Sequence, residues 1–205
     1  MRQENFRSCR RSHLHTCRHT RITGTKLTVE EFWSLPEGEM AYELVDGQAI
    51  PKVSPKYFHS SLQAAMLVLI RNWCKGSFGR IKPEWAVTLK RNGQDWVPTP
   101  DLTYVSYERL PKNWRQNEAC PVPCDLAIEI ISPGQTFTAF EDKAKDYFNA
   151  GVSRVWVVDP KTISITAFFP DGTRQLYTDA VPIVDVLLPG LELTPQSIFE
   201  EAELL

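Results

Sequence analysis

The spacing of apolar and polar positions changes several times along the chain, and each change predicts an element. Thr28-Val-Glu-Glu31 has the form of a capping box ahead of Phe32, Trp33 and Leu35, with Pro36 as a stop, so a short helix is expected there. Tyr42 to Ile50 reads as two short strands around Asp46-Gly47, a hairpin turn pair. Leu62, Ala65, Met66, Leu69, Ile70 and Trp73 recur at helical spacing and predict an amphipathic helix over 58–74. Residues 79–90 and 95–98 flank Asn92-Gly93, a second hairpin signal. Asp101 to Val105 reads as a strand entered through Pro98-Thr99-Pro100. Asp125 to Ile131 is an almost wholly apolar strand ended by Ser132-Pro133-Gly134. Thr138-Ala-Phe-Glu141 resembles another capping box, opening a helix that runs to Ala150 and stops at Gly151. A strand over 154–158, a hairpin of 163–169 with 174–177 across Asp171-Gly172, and a short helix from Thr194-Pro195 complete the pattern.

Helix, hairpin, helix, several strands, helix, strand and hairpin predict a mixed sheet flanked by helices, in the α/β or α+β class. At 205 residues with 42% hydrophobic positions the chain is expected to form one domain with a substantial core. The longest apolar run, Ala64 to Ile70, is seven residues. A membrane-spanning helix needs about 20, so none is expected. Five cysteines, an odd count without a secretory apolar segment, predict free thiols in a reducing, cytoplasmic setting.

Charge divides the chain more sharply than composition does. Residues 1–26 hold seven lysines and arginines against Glu4; the total of −2 then leaves −8 for residues 27–205. The first segment also lacks an apolar period, which predicts a disordered basic arm over 1–26 and a folded domain over 27–205. Cys9, His13, His15, Cys17 and His19 could be drawn as a metal set, but their spacing matches no zinc motif. An acidic domain excludes a basic DNA-coating protein.

Four residues could carry chemistry. Glu129 interrupts a strand that is apolar on both faces, and an ionised carboxylate there must be paired, bound to a metal or placed at the sheet's end. In the following helix, a wheel of about 100° per residue puts Lys143 near 300°, between Ala150 and Tyr147 on the apolar arc, and Lys145 on the wet side. Lys143 either snorkels from the core rim or faces Glu129. Asp101 is a strand-entry carboxylate held by flanking prolines, and Glu43 lies in the first hairpin. Carboxylates converging on one point can hold Mg²⁺ or Mn²⁺, which prefer oxygen ligands. An inward lysine beside them can position a nucleophile or stabilise phosphorane charge.

These residues and their order resemble the PD-(D/E)xK nuclease superfamily and, more closely, the bacterial Uma family of restriction-endonuclease-like proteins. The motifs are Tyr42-Glu-Leu-Val-Asp-Gly47, Ser54-Pro55 with His59, Pro100-Asp-Leu102, Glu129-Ile-Ile-Ser-Pro133, Lys143-x3-Tyr147-x3-Gly151-Val152 and Trp156-Val-Val-Asp-Pro160. The resemblance implies a mixed sheet with one metal-dependent phosphodiesterase site acting on DNA. Asp101 and Glu129 would be metal ligands, Glu43 an accessory carboxylate, Lys143 the catalytic lysine and His59 an accessory or helix-entry residue. One departure is plain: the superfamily lysine falls two residues after the glutamate, where this chain has Ile131. The Uma pattern moves it to the next helix, where Lys143 stands. A bacterial family also argues against reading the basic arm as an organelle transit peptide.

For DNA contact, Arg71, Lys75, Lys90 and Arg91 belong to a locally basic stretch over 71–91, which serves either as a phosphate-binding stripe or as a solvated face. Cys120 and Cys124 lack a second pair for zinc. A non-catalytic nucleic-acid- or protein-binding member of the same fold is the alternative to a nuclease, and a homodimer stays open.

Overall fold

A computed structural model describes residues 26–36 and 41–205. The Cys/His residues whose spacing matches no zinc motif, and the basic arm up to Thr25, lie outside the described residues. Lys26, assigned to the arm from its charge, belongs to the fold: its ammonium donates to Gln94 at 2.6 Å and its side chain lies over Gly47. Gly47 has φ +80°, and a Cβ there would come within 2.6 Å of the Lys26 side chain. The turn needs glycine for its backbone and for this contact.

Helix α1 (Val29–Trp33) carries the predicted capping box, with Thr28 and Glu31 bonded reciprocally. Strands β1 (Tyr42–Val45) and β2 (Gln48–Pro51) form the first hairpin. Helix α2 (Tyr57–Cys74) leads into β3 (Gly79–Pro83). A second hairpin, β4 (Leu89–Arg91) with β5 (Gln94–Trp96), precedes β6 (Leu102–Ser106) and β7 (Leu126–Ile130). Helix α3 (Phe137–Asn149) crosses to β8 (Arg154–Asp159); β9 (Ser164–Phe168), β10 (Arg174–Thr178) and α4 (Pro195–Glu201) follow.

Six strands make the central sheet, in the order β10-β9-β8-β7-β6-β3. Only β7 and β8 run parallel, and α3 supplies the crossover that such a pair requires. The architecture is the mixed sheet with helices and added hairpins that the sequence pattern predicts. Residues of β7 alternate between two cores. Leu126, Ile128 and Ile130 pack with α2, α4, Trp156 and Val158 on one face. Ala127 packs with α3, the β4–β5 hairpin, Val155 and Val157 on the other. Among the described residues, no helix is long and apolar enough to cross a membrane.

Two local expectations need correction. The cap of α3 is Thr136, whose side chain accepts from the Ala139 N–H, so Thr138 lies inside the first turn and makes no capping box. A tight turn, in which Ser132 N–H donates to Gln135 Oε1 and Gln135 N–H donates to the Ser132 carbonyl, starts the helix two residues early. The second hairpin is also shorter than its apolar flanks suggest. Glu84 adopts φ 48°, turning the chain out of the sheet after Pro83, so β3 pairs with β6 and only Leu89–Arg91 meets β5.

Candidate active site

Strand register brings the two central carboxylates together. Leu102 pairs with Ile128 and Thr103 with Ala127. Continuing that antiparallel register by one residue sets Asp101 opposite Glu129, on the same face of the sheet. Asp101 Oδ2 accepts the Ile130 N–H at 2.7 Å, which fixes the aspartate at the strand's end. Both residues are about 4% exposed. They line one cavity of about 380 Å³ with Glu43, Lys52, His59 and Lys143.

Lys143 faces Glu129, as the helical wheel and the strand-to-helix connection suggest. Its ammonium lies 3.0 Å from Glu129 Oε1 and 3.2 Å from Glu43 Oε1. Lys145, by contrast, is 72% exposed and pairs with Asp142 one turn away. Glu43 reaches the site from outside the central sheet. Its neighbour Leu44 is fully buried and bridges to Val97, which pins the first hairpin against the chain leaving β5. Glu43 Oε1 also accepts the Thr99 N–H at 2.9 Å. In Pro98-Thr99-Pro100 only Thr99 has a backbone donor, and Glu43 takes it.

Tyr147 lies one turn beyond Lys143 and is fully buried. Its hydroxyl donates to Glu129 Oε1 at 2.7 Å, and its ring packs on Trp96 with centroids 4.9 Å apart. Glu129 Oε1 therefore meets two donors, while Oε2 accepts from no described residue.

Across the cavity, Lys52 donates to Glu84 at 2.5 Å and to the Thr99 carbonyl at 2.8 Å, and stands 3.4 Å from Asp101 Oδ1. His59 Nε2 is also 3.4 Å from Asp101 Oδ1, and its Nδ1 pairs with Ser132 Oγ at 3.0 Å. Gln63 holds Glu84 at 2.9 Å and the Asp101 carbonyl at 2.8 Å. Ligand atoms of His59, Glu84 and Asp101 all lie within 4.8 Å of one another, close enough to share a cation.

The carboxylates are tuned apart. Burial pushes the Glu129 carboxyl up to about 7; Lys143 and the Tyr147 hydroxyl pull it down, while Asp101 and Glu43 push it further up. Burial also pushes on Asp101, but His59, Lys52 and the Ile130 N–H together hold it below the usual carboxylate range. Burial alone would lower Lys143, yet Glu129 and Glu43 hold it well above the ordinary lysine value. Its ammonium therefore stays protonated and offers positive charge and N–H donors, not a base. The donor set of carboxylate oxygens with one imidazole is hard enough for Mg²⁺ or Mn²⁺.

Sequence reasoning found Glu43, Asp101, Glu129 and Lys143, and the cavity gathers all four with His59. It missed four partners. Tyr147 falls beside Lys143 on the wheel, and that adjacency could have marked it. Ser132 sits where the Glu129 strand ends, within a quoted motif. Lys52 and Glu84 carry no local signal, because a hairpin's end and a left-handed turn bring them in. The expected basic stripe does not assemble. Arg71 and Lys75 lie at the far end of α2, on one face of the sheet, whereas Lys90 and Arg91 lie on the hairpin packed against the other. Arg91 is bound by Asp46 and Asp146, both at 2.7 Å, and Lys90 pairs with Asp95. Cys120 and Cys124 are fully buried, and burial pushes both thiols up, so neither is poised as a thiolate ligand.

No curated protein matches the chain. Among solved structures, it is similar to one described as a "putative nuclease belonging to DUF820" from Anabaena variabilis ATCC 29413. The two share 24% identity with a TM-score of 0.75, over 86% of this chain and 99% of the other, which establishes a common fold. A family model, Uma2, described as "Putative restriction endonuclease", matches residues 29–198, a span that holds every carboxylate and lysine of the cavity. The chain belongs to the Uma2 family.

Proposed function

We propose that the protein is a divalent-metal-dependent endonuclease that hydrolyses DNA phosphodiester bonds. One observation carries this reading: in an open cavity, Lys143 bridges Glu43 and Glu129 while Asp101 flanks Glu129 from the neighbouring strand. Asp101 and Glu129, which both line the cavity, would hold Mg²⁺ or Mn²⁺. Bound there, the ion would polarise a phosphoryl oxygen and lower the pKa of a water.

The chain's own residues divide the remaining work. Lys143 keeps its proton on Nζ and sets positive charge where a pentavalent phosphorus gathers negative charge. Glu43 holds Lys143 on the cavity side of α3 and ties the first hairpin to the Thr99 backbone. Tyr147 fixes the Glu129 rotamer through Oε1, which leaves Oε2 for a cation. His59 and Lys52 steady Asp101 from the opposite side. The departure at Ile131 is compatible with this reading, since Lys143 from the next helix stands 3.0 Å from Glu129.

Calorimetric titration with Mn²⁺, beside a plasmid-nicking assay in Mg²⁺, tests the reading. Asp101→Asn and Glu129→Gln should each weaken Mn²⁺ binding by tenfold or more and abolish nicking. Metal binding indifferent to both substitutions, or a parent protein that binds Mn²⁺ yet never nicks DNA, would favour a binding role without catalysis.

A further inference from the structure

A second, larger groove of about 880 Å³ shares Lys52, Val53, His59 and Asp101 with the site cavity. Its walls differ in kind from the cavity's. Trp33, Tyr42 and Trp85 line it, and Trp33 and Tyr42 are 53% and 40% exposed. Trp33 meets the buried Phe32 edge-on at 5.0 Å and leaves about half of its surface exposed. Among the described lining residues Lys52 is the one lysine or arginine, and Glu84 and Glu118 stand with it. Lys52 is already bound to Glu84 and Thr99.

That chemistry suits bases and not phosphates. Aromatic faces stack on any base, and carboxylate or carbonyl oxygens accept from base amino and imino groups. A phosphodiester backbone would meet acidic walls instead. Duplex recognition commonly engages about 6–10 phosphates through lysine and arginine. Here Arg71 and Lys75 lie about 18 Å or more along α2 from His59. Arg91 and Lys90 are held by acidic partners. Lys56, next in the chain to the lining residue Pro55, is exposed and can serve one flanking phosphate.

Building on the nuclease reading above, we propose that the DNA entering this site is single-stranded at the scissile position. Bases beside the scissile phosphate stack on Trp33 and Tyr42 in the groove, and the phosphate itself reaches Asp101 and Lys143. The inference follows from the juxtaposition of an aromatic, acidic groove with a carboxylate–lysine cavity through four shared residues.

Fluorescence anisotropy on the full-length protein in Ca²⁺, with a short oligothymidylate and a duplex hairpin of equal length, separates binding from cleavage. The single strand should bind at least about tenfold tighter than the duplex. Trp33→Ala and Tyr42→Ala should each weaken single-strand binding about tenfold, as loss of a stacking platform does, and move duplex binding less than twofold. Tyr42→Phe keeps the ring and should retain affinity. Unchanged melting temperatures would exclude misfolding of these surface variants. Duplex affinity equal to or above that of the single strand would overturn the proposal, as would alanine variants that weaken both ligands alike, or a preference for oligouridylate RNA over the DNA strand. If single strands bind as described but are never cut in Mg²⁺, the nuclease reading fails and the groove assignment stands. If duplex is bound and cut equally well, the nuclease reading stands and the groove assignment fails.

Discussion

The two faces of the central sheet use the same strands for opposite ends. On one, Leu126, Ile128, Ile130, Trp156 and Val158 meet α2 and α4 in a core of apolar side chains. On the other, one residue out of phase, β7 presents Ala127 and then Glu129, and β6 is preceded by Asp101. The first face stabilises the fold by removing apolar surface from water, at roughly 25 cal/mol per Å². The second face has an apolar core of its own, with Ala127, Val105, Val155 and Val157, and its charged end spends part of the stability. Glu129, Asp101 and the half-buried Lys143 are taken from water, and such groups cost several kcal/mol each before pairing offsets it. Period-two alternation lets both coexist on one strand, so the apolar packing on the two faces can hold β7 in place while its Glu129 position carries the charge. Glu129 lies within β7 and Asp101 is tied to that strand through the Ile130 N–H, so the sheet sets the geometry of this pair.

The comparison can be broken most forcefully from the apolar side. Trp156 is fully buried between β7 and the helices, and Trp156→Ala should cost about 3–5 kcal/mol in urea unfolding, enough to unfold a marginal domain. Its indole N–H has no partner among the described residues, so Trp156→Phe should cost clearly less than half as much. From the charged side, Lys143→Met keeps the aliphatic stem and should lower Mg²⁺-dependent cleavage by about 10²–10³-fold while the protein still folds. Cleavage within fivefold of the parent would remove Lys143 from the chemistry. Tyr147→Phe deletes only the hydroxyl that holds Glu129 and should lower stability by about 1–2 kcal/mol, seen as a shifted urea midpoint at unchanged slope. The smallest effect belongs to Lys145→Met. Its lysine shares α3 with Lys143 but faces solvent, so stability should move by less than about 0.5 kcal/mol and cleavage should be unchanged. Equal losses from Lys143→Met and Lys145→Met would abolish the distinction between the wet and buried arcs of α3.

Much of this was legible one element at a time. Asp46-Gly47 and Asn92-Gly93 both adopt positive φ in hairpin turns, because few residue pairs tolerate that backbone and these two do. The strand 126–130 announced itself as doubly covered, and Glu129 within it as a group in need of a partner. Lys143 was separable from Lys145 because helical periodicity alone decides which arc is buried. Errors fell where a local pattern competed with a turn. Thr138-x-x-Glu141 has the letters of a capping box, but the Ser132–Gln135 turn starts the helix at Phe137. The basic stretch 71–91 is continuous in sequence and divided in space, because α2 and the β4–β5 hairpin cover opposite faces of one sheet.

The sequence by itself determined which residues are apolar on which face, where the chain turns, and that Glu43, Asp101, Glu129 and Lys143 are carboxylates and an ammonium in need of compensation. Those are properties of periods and single residues, and short-range geometry settles them. Tertiary structure alone decided that Lys52 and Glu84 come to the side of Asp101, and that Trp33 and Tyr42 border a groove sharing residues with the cavity. Asp101 comes opposite Glu129 through strand pairing across 28 positions, and Lys143 meets Glu43 across 100. Contacts at such separations follow from sheet order and register, which no local pattern encodes; they form only when the apolar faces of the whole chain are buried together.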